Sequence, residues 1–385
     1  MAVFWKAVAG GLLLTVSLLG GPTAGQGSLR GKKQVSGDSV FYLSQARDLW
    51  RPLIHTAVNL SEINSIKSSF QFRTYDPEGL IFYGDTKNGE DWFVLSLMNG
   101  IPLMQISKEG MLVSVEGGLK LNDGKWHTLE VSNQGKFVIL EVDGSTGLKV
   151  GMQSQQTEEV ISGGLRLALG GILIEKEKMI VQFKPQMDAC VRHGSWLNIS
   201  IPWESEVEEL RHCYQNIRPG SYFSGTGFAV FSTSVFQTDE YAALRVELWA
   251  DFRQMNGTIL SIKPLQKELE FRVEASKNTE ELTVSFREEK FILKSTFKKL
   301  LITFSKSELK VLQDGDESQS TTLSVNPELT TWREGLLAIG GLLGEGEDGS
   351  HFLTGCLEKI QVQGRDLDLD LAVKHMSISS HSCPA

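Results

Sequence analysis

Apolar and polar side chains alternate along Ser69-Phe70-Gln71-Phe72-Arg73, Thr128-Leu129-Glu130-Val131 and Val138-Ile139-Leu140-Glu141-Val142. Period two puts every second residue on one face of a strand, so each stretch predicts a half-buried β-strand. Turn formers separate them: Asp76-Pro77-Glu78-Gly79, Asn99-Gly100, Asn122-Asp123-Gly124 and Asp143-Gly144. A sustained helical period is almost absent, and only a short helical piece is expected near Leu371 to His375. Many short strands with frequent turns predict an all-β chain built as antiparallel β-sandwiches. Lys298, Lys299, Lys306 and Lys310 alternate with Leu and Phe residues, which predicts the wet face of a strand pair rather than a binding stripe.

The pattern repeats. Leu167-Ala168-Leu169-Gly170-Gly171-Ile172-Leu173 leads to Cys190 and Cys213, and Leu337-Ala338-Ile339-Gly340-Gly341-Leu342-Leu343 leads to Cys356 and Cys383. Gly170 and Gly340 stand 170 residues apart, as do Cys213 and Cys383. Val142-Asp143-Gly144 recurs as Gln313-Asp314-Gly315. A period far above the roughly 20–50 residues of solenoid repeats means two tandem copies of a whole domain. The expected division is a signal peptide over 1–25, a loosely held arm over 26–60 and a first domain over 61–213. A linker over 214–227, rich in Gly, Ser and Asn, and a second domain over 228–385 complete it.

Lys6, the apolar run Ala7 to Leu19 and the small residues Pro22-Thr23-Ala24-Gly25 give the signal-peptide reading and predict a secreted chain with no membrane span. Four cysteines then predict two disulfides, and the repeat selects Cys190 with Cys213 and Cys356 with Cys383. Each short loop so closed contributes about 3 kcal/mol in the loop-entropy treatment. Sequons at Asn59, Asn198 and Asn256 agree with secretion and predict surface positions. The net charge of −9 argues against nucleic acid as a partner.

Asp76-Pro77-Glu78-Gly79, Asp123-Gly124-Lys125-Trp126-His127, Val142-Asp143-Gly144, Leu169-Gly170-Gly171 and Cys190, in that order, resemble the laminin G-like domain. Gly355-Cys356-Leu357 with Gly364-Arg365-Asp366-Leu367-Asp368-Leu369 resembles its closing strand. The resemblance implies two tandem sandwiches of jelly-roll type. A secreted chain of two such domains is similar to the steroid-carrying members of the family, closest over Ser65 to Cys190. That implies a plasma carrier of androgens and oestrogens, not an enzyme, with an apolar slot between the sheets of the first domain.

By position, the resemblance gives Ser68 to the steroid A-ring oxygen and Asp91 to the D-ring hydroxyl, with Phe93 beside Asp91. Val131, Asn133, Leu165 and Leu167 fall on lining positions, Asn133 where a methionine is usual. From the residues alone, Ser68 reads equally as a strand-start serine and Asp91 as a solvated acid beside Glu90. Lys108 stands where the family has asparagine. It either pairs with Asp91 inside the slot or extends its ammonium into water. The resemblance also implies calcium held by Asp76, Glu78 and the backbone carbonyl of Gln186, although Asp76 to Gly79 also reads as a plain turn. A zinc position of some members falls on Glu109 and Ser162, so no zinc is expected there. A homodimer is implied through edge strands near Val115 and Leu148.

Gly344-Glu345-Gly346-Glu347-Asp348-Gly349 fits a dinucleotide-binding pattern, but its acids would repel a pyrophosphate. His375 and His381 offer a metal pair, for which a solvated tail is the preferred reading. The rival function is an extracellular adhesion or receptor-binding protein using the calcium rim.

Overall fold

The computed structural model describes residues 33–35, 40–43, 50–62, 66–134, 137–151, 163–196, 203–205, 211, 213–236, 243–264, 271–325, 335–343, 351–375 and 377–385. The signal segment, Ser162, Asn198 and the 344–349 loop lie outside the described residues. Residues Lys33–Ala385 form one compact unit.

Both copies are two-sheet antiparallel sandwiches. In the first, one sheet runs Lys33–Val35, Trp203–Ser205, Ile54–Asn59, Gly164–Leu169, Gly79–Thr86, Asp91–Met98, Ile101–Lys108 and Met111–Glu116. The facing sheet runs Ser145–Gly151, Phe137–Val142, His127–Gln134, Lys67–Thr74, Ala189–Trp196 and Phe41–Leu43. In the second copy, Ala229–Ser232, Leu336–Ile339, Gly257–Lys263, Phe271–Ser276, Glu281–Phe286 and Glu289–Lys294 follow one another in one sheet. Asp316–Leu323, Leu309–Gln313, Lys299–Phe304, Leu244–Ala250, Thr354–Val362 and Ser221–Ser224 follow in the other. Six strands of each sheet follow the same order in the two copies, as a duplication requires; the first copy adds Trp203–Ser205 and Lys33–Val35 beyond Ile54–Asn59, and the second adds Val373–Lys374 beyond Ala229–Ser232.

The repeated Asp-Gly pairs have a conformational cause. Asp143 and Gly144 take φ of 52° and 77°, and Asp314 and Gly315 take 52° and 76°. Two successive left-handed residues close the tight hairpin whose twist matches the flanking strands. Asp143 also accepts from Thr128 N at 2.7 Å and meets His127 Nδ1 at 2.8 Å, while His127 Nε2 meets Asp123 Oδ1 at 3.0 Å. The motif from Asp123 to His127 thus clamps one hairpin to the next.

Period two sets the core. Phe70, Phe72, Leu129, Val131, Leu140 and Leu167 turn inward in the first sandwich, and Val246, Leu248, Leu300, Ile302 and Phe304 do so in the second. Of the four lysines expected on a wet face, Lys298 and Lys306 are exposed, while Lys299 and Lys310 are half-buried, with Lys299 Nζ 2.6 Å from Glu247. Leu80, Tyr83, Trp92 and Val94 form another cluster on the opposite face of their sheet, packed with Ile172, Met179 and Phe183. Burial on both faces explains why Leu80-Ile81-Phe82-Tyr83 reads as a continuous apolar run. The disulfides are Cys190–Cys213 and Cys356–Cys383, each with Cα atoms 5.9 Å apart.

Three expectations are corrected. The arm is not loose over its second half: Phe41–Leu43 pairs with Ala189–Trp196, and Ile54–Asn59 pairs with Gly164–Leu169, burying Phe41, Leu43, Ile54 and Val58. The linker is largely strand, since Ile217–Pro219 pairs with Ser382–Pro384 and Ser221–Ser224 with Thr354–Val362. The helical piece is a single 3-10 turn, Leu369–Leu371, followed by the strand Val373–Lys374. Asn59 and Asn256 are exposed, as glycosylation requires.

Candidate functional site

The chemistry divides between the two ends of the first sandwich. Lys67–Thr74 runs into the Asp76–Gly79 turn and the chain returns as Gly79–Thr86, so Ser68 and Thr86 share the end away from that turn.

At that end, register places the predicted slot residues in adjoining rows. Leu167, Gly84, Phe93, Ile106 and Val113 are successive cross-strand partners. The next row holds Leu165, Thr86 and Asp91, with Lys108 beside Asp91 because Ser107 pairs with Trp92. In the facing sheet Ser68, Val131 and Leu140 form one row. Ser68, Val131, Leu165 and Leu167 are buried, and Phe93 packs on their cluster. The Phe93 ring meets Phe82 edge-on at 5.5 Å between centroids. A side chain at Gly84 would strike the Phe93 ring and Leu167, so a glycine is needed for that ring to lie across the sheet.

The polar members differ in their partners. Ser68 is a buried residue, and its Oγ makes no hydrogen bond to a described residue. Asp91 Oδ1 accepts from Glu109 N at 2.9 Å, and Oδ2 lies 3.2 Å from Lys87 Nζ. The cation on Asp91 is therefore Lys87. No ion pair joins Lys108 to Asp91 among the described residues, and Lys108 is half-buried at its strand end. Asn133 has the inward parity of Val131 but is exposed where the sheet ends.

The opposite end is a contact between the two domains. Asp76 Oδ1 accepts from Glu78 N at 3.0 Å and Oδ2 from Asp188 N at 2.8 Å, while Glu78 Oε1 accepts from Lys184 N at 2.8 Å. Both turn carboxylates are thereby tied to the segment that carries Gln186. The C-terminal segment of the second domain lies against them. Asp188 accepts from His381 N at 2.7 Å, Ser382 N at 3.1 Å and Ser382 Oγ at 2.8 Å. His381 Nε2 stands 2.8 Å from Asp370 Oδ2 and 3.6 Å from Asp76 Oδ1. Lys374 and Ser380 hold the other oxygen of Asp370. Arg73 donates to the carbonyls of Tyr214 at 2.6 Å and Gln215 at 2.9 Å, fixing the chain between the domains.

Charge in this contact is strongly perturbed. Burial pushes the Asp76 carboxyl up to about 7, opposed by the attraction of His381 and reinforced by Asp370. Burial alone would lower His381, but Asp76 and the bond to Asp370 overcome it and raise the imidazole to about 10. Burial likewise opposes ionisation of Asp370, yet His381 and Lys374 hold it well below the carboxylate range. The solvated-tail reading of His381 is thus corrected. His375 is exposed and bonds Ser377 Oγ at 2.7 Å instead of sharing a ligand with His381.

A Laminin G domain profile matches residues 72–201. Sex hormone-binding globulin of Phodopus sungorus is 30% identical over 352 residues, covering 86% of this chain and 84% of that protein. This chain belongs to the sex hormone-binding globulin family. The human sex hormone-binding globulin is 30% identical over 353 residues, again covering 86% and 84%. Growth arrest-specific protein 6 of Mus musculus is 25% identical over 374 residues, covering 86% of this chain and 54% of that protein. Domains LG4-5 of the mouse laminin alpha1 chain superpose with a TM-score of 0.66 at 18% identity, covering 96% and 99%, and share the fold. Among the described residues no helix is long and apolar enough to cross a membrane. Asp188 and Asp370 went unassigned in the sequence: Asp188 bonds His381 and Ser382 of the other domain, and Asp370 bonds Lys374, Ser380 and His381 in a C-terminal segment without a periodic pattern.

Proposed function

We propose that the chain is a secreted plasma carrier of androgens and oestrogens, holding the steroid between the sheets of the first domain at the Ser68 end. The observation that carries this reading is Ser68, a buried residue in one row with Val131 and Leu140 whose hydroxyl makes no hydrogen bond to a described residue. Leaving a buried polar group unmade costs free energy unless a ligand or water meets it. A sandwich interior supplies the apolar surface. Burying roughly 400 Å² of steroid at about 25 cal/mol per Å² gives about 10 kcal/mol gross. Ser68 then fixes the A-ring oxygen, and Asp91, already oriented by Lys87 and Glu109 N, accepts from the D-ring hydroxyl.

The edge strands Met111–Glu116 and Ser145–Gly151 end the two sheets on the same side, with Val115 half-buried and Leu148 buried. This supports a homodimer formed by pairing those edges. Equilibrium dialysis of the full chain with radiolabelled testosterone and oestradiol tests the carrier reading. One saturable site per chain is the expected result, and no saturable binding of either steroid rejects it.

A further inference from the structure

The duplication aligns the two sandwich interiors residue by residue. In the facing sheets the Asp143 and Asp314 turns set the register, so Ser68, Val131 and Leu140 correspond to Val246, Ile302 and Val311. Asn133 corresponds to Phe304 by the same count. In the other sheets Gly170 and Gly340 set it, and the row Leu167, Gly84, Phe93 corresponds to Leu337, Ile262, Phe271. Three exchanges therefore fall on the slot: Ser68 becomes Val246, Gly84 becomes Ile262 and Asn133 becomes Phe304. We infer that the second sandwich keeps the slot proposed for the first, closed from within, an inference that rests on that reading. Phe304 is the plug, and Ile262 is the residue that seats Phe271 against it. These side chains, and not a loss of the architecture, limit the chain to one ligand.

The exchanges act together. In the first copy the half-buried Phe93 ring crosses Gly84, where an added Cβ would come within 2.4 Å of it, and leans edge-on to Phe82. Ile262, branched at Cβ, bars that pose at the matching position of the second copy. The Phe271 ring stands against Phe304 instead, with centroids 4.8 Å apart and planes at 90°. That is the edge-to-face contact aromatic rings favour.

Burial and polarity agree. Asn133 is exposed at the open end of the first sandwich, whereas Phe304 is 0% exposed and Phe271 1%. Val246, Ile262, Phe271 and Phe304 all belong to one buried core cluster. A hydroxyl at Val246 would have no ligand oxygen to meet in a filled interior, and leaving it unmade costs free energy. The serine and the space beside it are thus absent together.

Benzene titration of the full chain, read by calorimetry, tests the plug. Phe304→Ala removes a ring from an apolar interior, and a dry cavity of that kind accepts benzene. The variant should bind one benzene per chain more than wild type, and benzene should raise its Tm further than that of wild type. A folded Phe304→Ala chain that binds no more benzene than wild type overturns the inference. Aromatic NMR of the wild-type chain keeps the test independent of variant folding: benzene should leave the Phe271 and Phe304 ring signals in place. Displacement of either signal means that the second interior is already open, which overturns the plug. An extra benzene site in Phe304→Ala, in a chain whose wild type binds no steroid, upholds the plug and rejects only the steroid reading of the first slot.

Discussion

Replacing Ser68 with alanine separates a ligand contact from a structural one. Ser68 is 3% exposed and its hydroxyl makes no hydrogen bond to a described residue, so its removal breaks no bond among the described residues of the free protein. Stability in urea should stay within about 0.5 kcal/mol of wild type or rise slightly. In the complex the same change removes one hydrogen bond to the A-ring oxygen. A neutral bond contributes about 0.5–1.5 kcal/mol, which is an affinity loss of about 2- to 13-fold. The loss should be similar for steroids differing only at the D-ring, because Asp91 serves that end. Competition dialysis with labelled testosterone and oestradiol, alongside urea melts of both proteins, supplies the two readouts. Unchanged affinity with a stability loss above about 1 kcal/mol would refute the reasoning and make Ser68 a strand residue with a structural partner.

Lys108→Asn should leave the ratio of androstenedione to testosterone affinity within about twofold, below the floor of one hydrogen bond, because Lys87 already neutralises Asp91; a larger change in competition assays would bring Lys108 into the slot. Asp188→Ala removes three hydrogen bonds from the second domain to a carboxylate, each charged bond being worth about 1.5–3 kcal/mol. Calorimetry should show a lower Tm and a melt split into two domain transitions. For His127, burial lowers the imidazole pKa but the bonds to Asp143 and Asp123 outweigh it and raise it. A raised folded value means the stabilisation is complete below the ordinary value of about 6.5 and fades as pH rises through the folded one. Urea melts should therefore show the gap between wild type and His127→Gln shrinking from pH 6 to pH 9, and a gap that widens would contradict the assigned pair.

The duplication was legible because its anchors are backbone devices. Asp143-Gly144 and Asp314-Gly315 announce left-handed turns in any context, and alternation fixes which residues of Lys67–Thr74 face inward. Ser68 shares the parity of Phe70 and Phe72, so its burial follows from period two. Asn133 shares the parity of Leu129 and Val131 and is nevertheless exposed, because parity says nothing about where the facing sheet ends. The strand Phe41–Leu43 is three buried residues with no alternation to read, and in Ile54–Asn59 the inward Thr56 breaks the apolar count. Both strands were lost in the polar composition around them. The Lys87 bond to Asp91 was missed for a different reason: position pointed to Lys108, and only the turn geometry brings Lys87 closer.

The contact between domains bears on which end of the first sandwich meets other molecules. It joins residues such as Asp188 and His381, nearly two hundred positions apart, through charge and hydrogen-bond complementarity that no local pattern carries. Its consequence is steric. The Asp76 carboxylate, on which an adhesion partner at a calcium rim would rely, is covered by the second domain, and such a partner would have to displace Asp370, His381 and Ser382 first. The end with Ser68, Asp91 and Phe93 lies on the far side of the sandwich and carries no such cover from that segment. A carrier needs its slot open and its rim free only to hold the fold; an adhesion protein needs the reverse. The position of the second domain therefore favours the carrier, and it gives that domain a task of its own in holding the first sandwich at the end remote from the proposed slot.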